Sequence, residues 1–332
     1  MSSRERLAGI VAITITSVLW GTIGTAATFA PETGPLAIGA AALGIGGLLQ
    51  AVVAMPALRA ARQQLRTHAQ LIAVGALAVA VHPLAFYSSM HYAGVAIGSV
   101  VSIALAPLAS GLLELLVEHK RLSIWWVLSA GLGLIGSVVL CVSRFGQDTT
   151  ASTATIVGVL LGLIAGATYA TYSWVARRLM QDDISRAASM GAVFGSGGVL
   201  LVPVLLVTGA PLVASSQAFA VASYTAIVPM FLGYLLFGYG LTRVTASAAT
   251  TITLIEPAVA AVLAIVIVGE RLAPVGWVGL GIIAISFMVL VLAPTGQDVP
   301  ARSSLTRAPF AADEESAPMN PAGNGPALRS VQ

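Results

Sequence analysis

Two carboxylates and one imidazole stand where apolar sequence should exclude them. Glu114 and Glu256 are the acids that fall inside long apolar runs, and His82 lies in the middle of a third run. A charged group at a bilayer centre costs at least about 2.5–3.5 kcal/mol on insertion scales, so each residue requires a reason. Glu256 lies 11 residues into its run, or about 16 Å at 1.5 Å per residue, close to a membrane midplane. Pro257 follows it, removes a backbone donor and frees the carbonyl of Thr253 one turn back. A carboxyl at that depth, beside a disturbed helix, suits a cationic group or a proton. The plainer reading is an acid kept protonated and bonded to neighbouring backbone. His82 lies about 13 residues into its run and precedes Pro83. Histidine titrates near neutral pH, so it reads either as a proton-sensing group or as a hydrogen-bonded packing residue. Glu114 sits about one turn from the end of its run, where it reads as reaching the interface or pairing with Lys120 or Arg121.

The aromatic residues fall into two sets. Trp125, Trp126, Trp174 and Trp277 sit at the ends of apolar runs, the positions of an interfacial belt. Of the tryptophans Trp20 alone is mid-run; Tyr169 is its counterpart in the second half, Tyr172 lies three residues beyond on a neighbouring helix face, and Tyr234 is mid-run. With Tyr87, His82 and Glu256 they form the expected lining of a cavity, aromatic and partly polar. Such a lining suits an amphipathic organic molecule, and ring faces also attract cations. His82 and Glu256 are the residues expected to carry a proton. Enzyme chemistry finds no support: there is no nucleophile elbow, phosphate loop or paired catalytic acid. The single cysteine, Cys141, forms no internal disulfide, and no metal-ligand spacing exists, so neither metal nor cofactor is expected.

The elements that must position these groups follow from composition. Of 332 residues, 57 % are hydrophobic and only 9 % charged, with a mean hydropathy of +0.93. A soluble domain carries about 25 % charged residues, so a water-facing surface cannot be built and a lipid bilayer is the expected surrounding. The net charge of +3 comes from scattered basic residues rather than a stripe, which argues against nucleic acid. Windows of about 20 apolar residues give ten spans, near 8–30, 35–57, 69–90, 93–117, 123–143, 154–176, 187–208, 219–241, 245–268 and 273–294. The runs are continuous, with Gly and Ala throughout, so they read as helices rather than the alternating strands of a barrel. Placing the N-terminus in the cytoplasm leaves 14 of the 16 Lys and Arg residues on the inside and only Arg144 and Arg271 outside. That bias predicts both termini cytoplasmic, in the plasma membrane of a prokaryote. Residues 297–332, with five prolines and the run Asp313-Glu314-Glu315, read as a disordered cytoplasmic tail.

The chain also repeats itself. "SVVSIALAPLASGLLELLVEHKRLS" (99–123) aligns with "ATTITLIEPAVAAVLAIVIVGERLA" (249–273) at an offset of 150, matching Pro107 with Pro257 and Arg121 with Arg271. Trp20-Gly21 corresponds to Tyr169-Ala170. Two halves result, 1–146 and 150–296, each of five spans. Five is odd, so the second half enters the membrane from the opposite side and the copies are inverted. Inverted repeats are a recurring construction of secondary transporters, with the site near the midplane between halves. The fold class is therefore an all-α polytopic membrane protein: ten transmembrane helices as two inverted five-helix repeats around a central cavity. Gly158, Gly162 and Gly166 in span 6, and Gly191 and Gly195 in span 7, form small-residue ridges suited to close helix packing.

These features resemble the drug/metabolite transporter superfamily, specifically proteins with two EamA-type domains. The resemblance covers about residues 8–294 and is carried by Trp20-Gly21, by "FYSSMHYAGVAIGSVVSIALAP" (86–107) and by "LIEPAVAAVLAIVIVGERLAPVGWVG" (254–279). It implies exporters or exchangers of small metabolites, with a cavity lined mainly by spans 1, 3, 4, 6, 8 and 9 and with spans 5 and 10 peripheral. One departure is Glu118-His119-Lys120-Arg121 where the second half has Gly269-Glu270-Arg271. The expected function is a secondary transporter of a small organic metabolite, an amino acid, amine or similar amphipathic solute, with proton coupling open. A passive facilitator or channel is the alternative. A membrane-embedded enzyme or scaffold is disfavoured by the missing motifs. Sequence leaves substrate identity, direction and oligomeric state open.

Overall fold

The computed structural model describes residues 3–93, 95–119, 121–142, 153–268 and 273–293. The proposed tail, Lys120, Arg144 and the Glu270-Arg271 pair lie outside these residues, as does the side chain of Cys141. Among the described residues there are helices and no strand. Without water to satisfy backbone groups, a chain in lipid must close its own hydrogen bonds, and helices do so locally.

The helices in chain order are α1 (Ser3–Ala27), α2 (Pro35–Val53), α3 (Ala69–Ala93), α4 (Val95–Leu116) and α5 (Ile124–Val142). The second half holds α6 (Thr153–Gln181), α7 (Arg186–Thr208), α8 (Ser216–Leu241), α9 (Ala246–Ile267) and α10 (Pro274–Leu292). Nine of these are long and apolar enough to cross a membrane, and the apolar run of α5, Ile124–Leu140, is shorter. Two short helices, Met55–Ala60 and Arg62–Thr67, follow α2. Local chemistry sets the starts. Pro35 and Pro274 open α2 and α10, where a missing N–H costs nothing. Ser185, Ser215 and Thr245 cap α7, α8 and α9 by accepting from the N–H three residues on.

The pairing of helices expresses the repeat. α2 lies along α7, α5 along α10, and α4 meets α9. Exchanging the halves maps each of these pairs onto itself. The same exchange maps α3 on α6 onto α8 on α1, and both contacts exist. The packing is that of a membrane bundle, with large aliphatics such as Leu206, Val207 and Leu292 exposed and Thr16, Ser17, Ser89 and Thr250 buried. Small residues at the contacts let backbones approach, because apolar lipid supplies no force to drive helices together. At the α2–α7 seam a Cβ on Gly198 would lie 2.8 Å from the Gly44 carbonyl oxygen. The Gly158, Gly162 and Gly166 ridge packs on Ala93, Ser89 and Ser102, which makes it the contact of α6 with α3 and α4. Ser129 and Ser286 bridge α5 and α10 reciprocally, each hydroxyl donating to the other's carbonyl at 2.9 and 2.7 Å.

One aromatic departs from its expected place. Trp126 is buried rather than interfacial, because Gly111 on α4 leaves room for the far edge of its indole. Trp277 is exposed, as a belt position requires.

Candidate functional site

Two irregular helices shape the site. α8 widens into a π turn over Ala226–Leu232, where Pro229 lacks an N–H and the Gly233 N–H bonds to the Val228 carbonyl five residues back. The Pro229 carbonyl accepts from the Trp20 indole Nε1 at 3.0 Å. α9 tightens into a 3₁₀ turn at Thr253–Ile255 and resumes as an α-helix at Glu256. Pro257 thereby falls in the first turn of the resumed segment, where proline is tolerated. Gly21 brings α1 against that break: a Cβ there would lie 2.7 Å from Val259 Cβ and 3.1 Å from the Glu256 carbonyl oxygen. The Trp20-Gly21 pair thus does two things, locking α1 to α8 through the indole and to α9 through the missing side chain.

Tyr169 donates its hydroxyl to Thr253 Oγ1 at 3.0 Å, and Thr253 passes its own proton to the Thr250 carbonyl at 2.8 Å. Tyr172 and Tyr234 share a hydroxyl–hydroxyl bond of 2.5 Å across α6 and α8. His82 Nδ1 lies 2.9 Å from the Ala165 carbonyl. A carbonyl only accepts, so Nδ1 carries the hydrogen and Nε2 holds a lone pair in the neutral ring. The His82 ring stacks on Phe86 at 5.7 Å and meets Tyr169 and Tyr172 at 5.7 and 5.5 Å. Trp20 meets Tyr169 and Tyr234 at 5.8 and 4.9 Å. Edge-on and tilted pairs at these separations each add about 0.5–1.5 kcal/mol beyond burial.

All seven residues singled out in sequence, Trp20, His82, Tyr87, Tyr169, Tyr172, Tyr234 and Glu256, line one cavity. It holds about 530 Å³ of empty space, including the part continuous with the outside. The lining also includes Ala42 and Leu43. α2 therefore joins α1, α3, α4, α6, α8 and α9 around the cavity, a contribution beyond the six spans the resemblance implied. Its Ala- and Gly-rich sequence lets it approach deeply. No described residue of α5 or α10 contributes to the lining. Phe86, Ser102, Ile103 and Met230 line the cavity without having been singled out. Phe86 was findable, since it follows His82 by one helical turn.

Glu256 is half-buried, and no group among the described residues donates a hydrogen bond to its carboxyl. The Tyr87 hydroxyl is fully buried and likewise has no partner. Glu114 is the opposite case. It is 5 % exposed, and its Oε1 and Oε2 accept from Ser247 N and Oγ at 2.9 and 2.7 Å. Its carboxyl turns to Ser247 rather than to Arg121 and caps the start of α9 from across the bundle, and Lys120 lies outside the described residues. Nearby, Arg177 on α6 donates to the Leu241 carbonyl at 2.6 Å and to the Val244 carbonyl, and Trp174 Nε1 donates to Glu118 Oε1 at 2.8 Å. Among the described residues no group of three His, Cys, Asp or Glu side chains could hold a metal ion.

Comparison with known proteins gives consistent matches. The model of the EamA-like transporter family fits twice, over residues 7–142 and 156–292. The chain is 32 % identical over 289 residues to "Uncharacterized transporter YwfM" of Bacillus subtilis (strain 168), covering 86 % of this chain and 94 % of that protein. A solved structure described as "Crystal structure of protein" superposes with a TM-score of 0.69 at 18 % identity, covering 87 % of this chain and 96 % of that one. At that identity the likeness speaks for the fold.

Proposed function

We propose, on the premise that this chain belongs to the EamA-like transporter family, that it carries a small amphipathic organic solute through the central cavity by alternating access. Membership makes the protein a multi-pass membrane transporter and not an enzyme. The finer reading is ours. The observation that carries it is the convergence of α1, α2, α3, α4, α6, α8 and α9 on one cavity with an unpartnered carboxyl, Glu256, in its wall. Two inverted halves can exchange conformations, which gives outward- and inward-open states from one sequence. Glu256 is the group that binds either a proton or the solute's polar end. It shares the cavity with the titratable His82, Tyr87, Tyr169, Tyr172 and Tyr234 and, among the described residues, with no Lys or Arg. An inward proton gradient would then drive solute outward, making the protein an exporter or exchanger. The 14-to-2 charge bias supports a prokaryotic plasma membrane with both termini cytoplasmic. The domain bounds 1–146 and 150–296 are proposed from the repeat, and 297–332 as a cytoplasmic tail.

The test is counterflow in proteoliposomes holding the full-length protein. Solute inside should accelerate uptake of labelled solute, saturably, and a pH gradient should drive accumulation. Linear downhill flux without trans-stimulation would replace the carrier with a facilitator or channel.

A further inference from the structure

We infer that the cavity selects a monocation bearing a ring-sized apolar body, an ammonium compound, and turns away solutes that carry a carboxylate, free amino acids included. This rests on the reading of the cavity as the substrate site. The argument is a census of hydrogen-bonding capacity in the wall. The donors are largely committed. The Trp20 indole N–H goes to the Pro229 carbonyl, the Tyr169 hydroxyl to Thr253, and the Ser102 hydroxyl to the Gly98 carbonyl at 2.7 Å. The Tyr172–Tyr234 bond uses one of that pair's two hydrogens. The acceptors are free: both oxygens of Glu256 have no donor among the described residues, and His82 spends Nδ1 on Ala165 and keeps the Nε2 lone pair. The buried Tyr87 hydroxyl has no partner among the described residues and can serve either way.

An ammonium group brings up to three donors and a positive charge to this arrangement, and its apolar body meets aromatic faces. A ring face near a desolvated cation adds about 2 kcal/mol or more. A carboxylate meets the reverse. Among the described residues no Lys or Arg lines the cavity. Arg6 is engaged on the Ala293 and Leu290 carbonyls, and Arg243 on the Tyr239 ring at 3.6 Å. A carboxylate would shed water for two phenolic hydrogens and, once Glu256 has given up its proton, would face a like charge. Specificity of this kind comes from the unpaired charge imposed on the wrong solute.

Three solutes sharing one ring separate the cases: 2-phenylethylamine, phenylalanine and 3-phenylpropionate. Binding to the purified full-length protein in detergent is measured by equilibrium dialysis. The amine should bind saturably and the other two roughly 30-fold more weakly or worse, the loss expected when a buried charge is left unpaired. Glu256→Gln should weaken the amine by a similar factor, and Glu256→Asp should keep the order of preference. If the Gln variant does not fold, the three-solute comparison on the native protein and the Asp variant still decide. Phenylalanine or 3-phenylpropionate binding within about threefold of the amine, or no saturable amine binding, overturns the inference. Selective amine binding without counterflow upholds it while counting against carrier transport. Counterflow of phenylalanine in preference to the amine overturns it while leaving carrier transport intact.

Discussion

Glu114 and Glu256 are the same side chain on equivalent helices of the two halves, α4 and α9, and their surroundings differ completely. Glu114 receives two hydrogen bonds from Ser247 and closes the exposed backbone at the start of α9. Glu256 receives none among the described residues and opens onto a cavity. Depth in the membrane does not distinguish a structural acid from one available to a ligand. What distinguishes them is whether donors already satisfy the carboxyl. A satisfied acid contributes to stability, and removing it strands the donors. An unsatisfied acid leaves its capacity for a solute or a proton, and removing it costs binding instead.

The contrast can be broken or sharpened by substitution. The largest effect is expected at Glu256→Gln. Proton-driven counterflow should fall roughly 100-fold, in the range for removing one member of a buried charge pair. The melting midpoint in detergent should hold or rise, since the neutral amide is cheaper to bury. Next is Glu114→Ala, which leaves the Ser247 N–H and hydroxyl without partners. Stability should drop by about 2–4 kcal/mol, read from denaturation in detergent, with solute affinity of the folded fraction unchanged. Lost flux at full stability would place Glu114 in the transport chemistry. Gly21→Ala is expected to cost about 1–3 kcal/mol by pushing α1 off Val259 and the Glu256 backbone, and to weaken solute binding severalfold in the same dialysis. The smallest effect belongs to Trp20→Phe. It keeps a ring and loses the bond to Pro229, about 1 kcal/mol, so affinity should fall only about fivefold.

Much of this arrangement could be read from the chain. The ten apolar runs, the repeat at an offset of 150 and the mid-run positions of Trp20, Tyr169, Tyr172, Tyr234 and Glu256 all lie in the sequence, because lipid imposes length and helicity on every span. Pro257 marked the break in α9 before the 3₁₀ turn at Thr253–Ile255 was seen. What the sequence could not show was which side chains meet across helices. Glu114 had nearby cations in sequence, yet its donors come from residue 247. Trp126 had the position of a belt residue, yet Gly111 admits it to the bundle. The stretch of α2 that lines the cavity, Ala42 and Leu43, carries no polar group to mark it, and only its close approach places it in the wall.

The central claim is that proton and cationic solute compete for Glu256. Its most direct test is proton release on binding of 2-phenylethylamine hydrochloride to the purified protein in weakly buffered detergent solution, followed with a pH dye. The wild-type protein should release a proton as the cation binds, at a pH where the free protein holds one. Glu114→Gln should release as much, and Glu256→Gln should release none. Undiminished release from folded Glu256→Gln, or release lost in Glu114→Gln alone, would contradict the assignment.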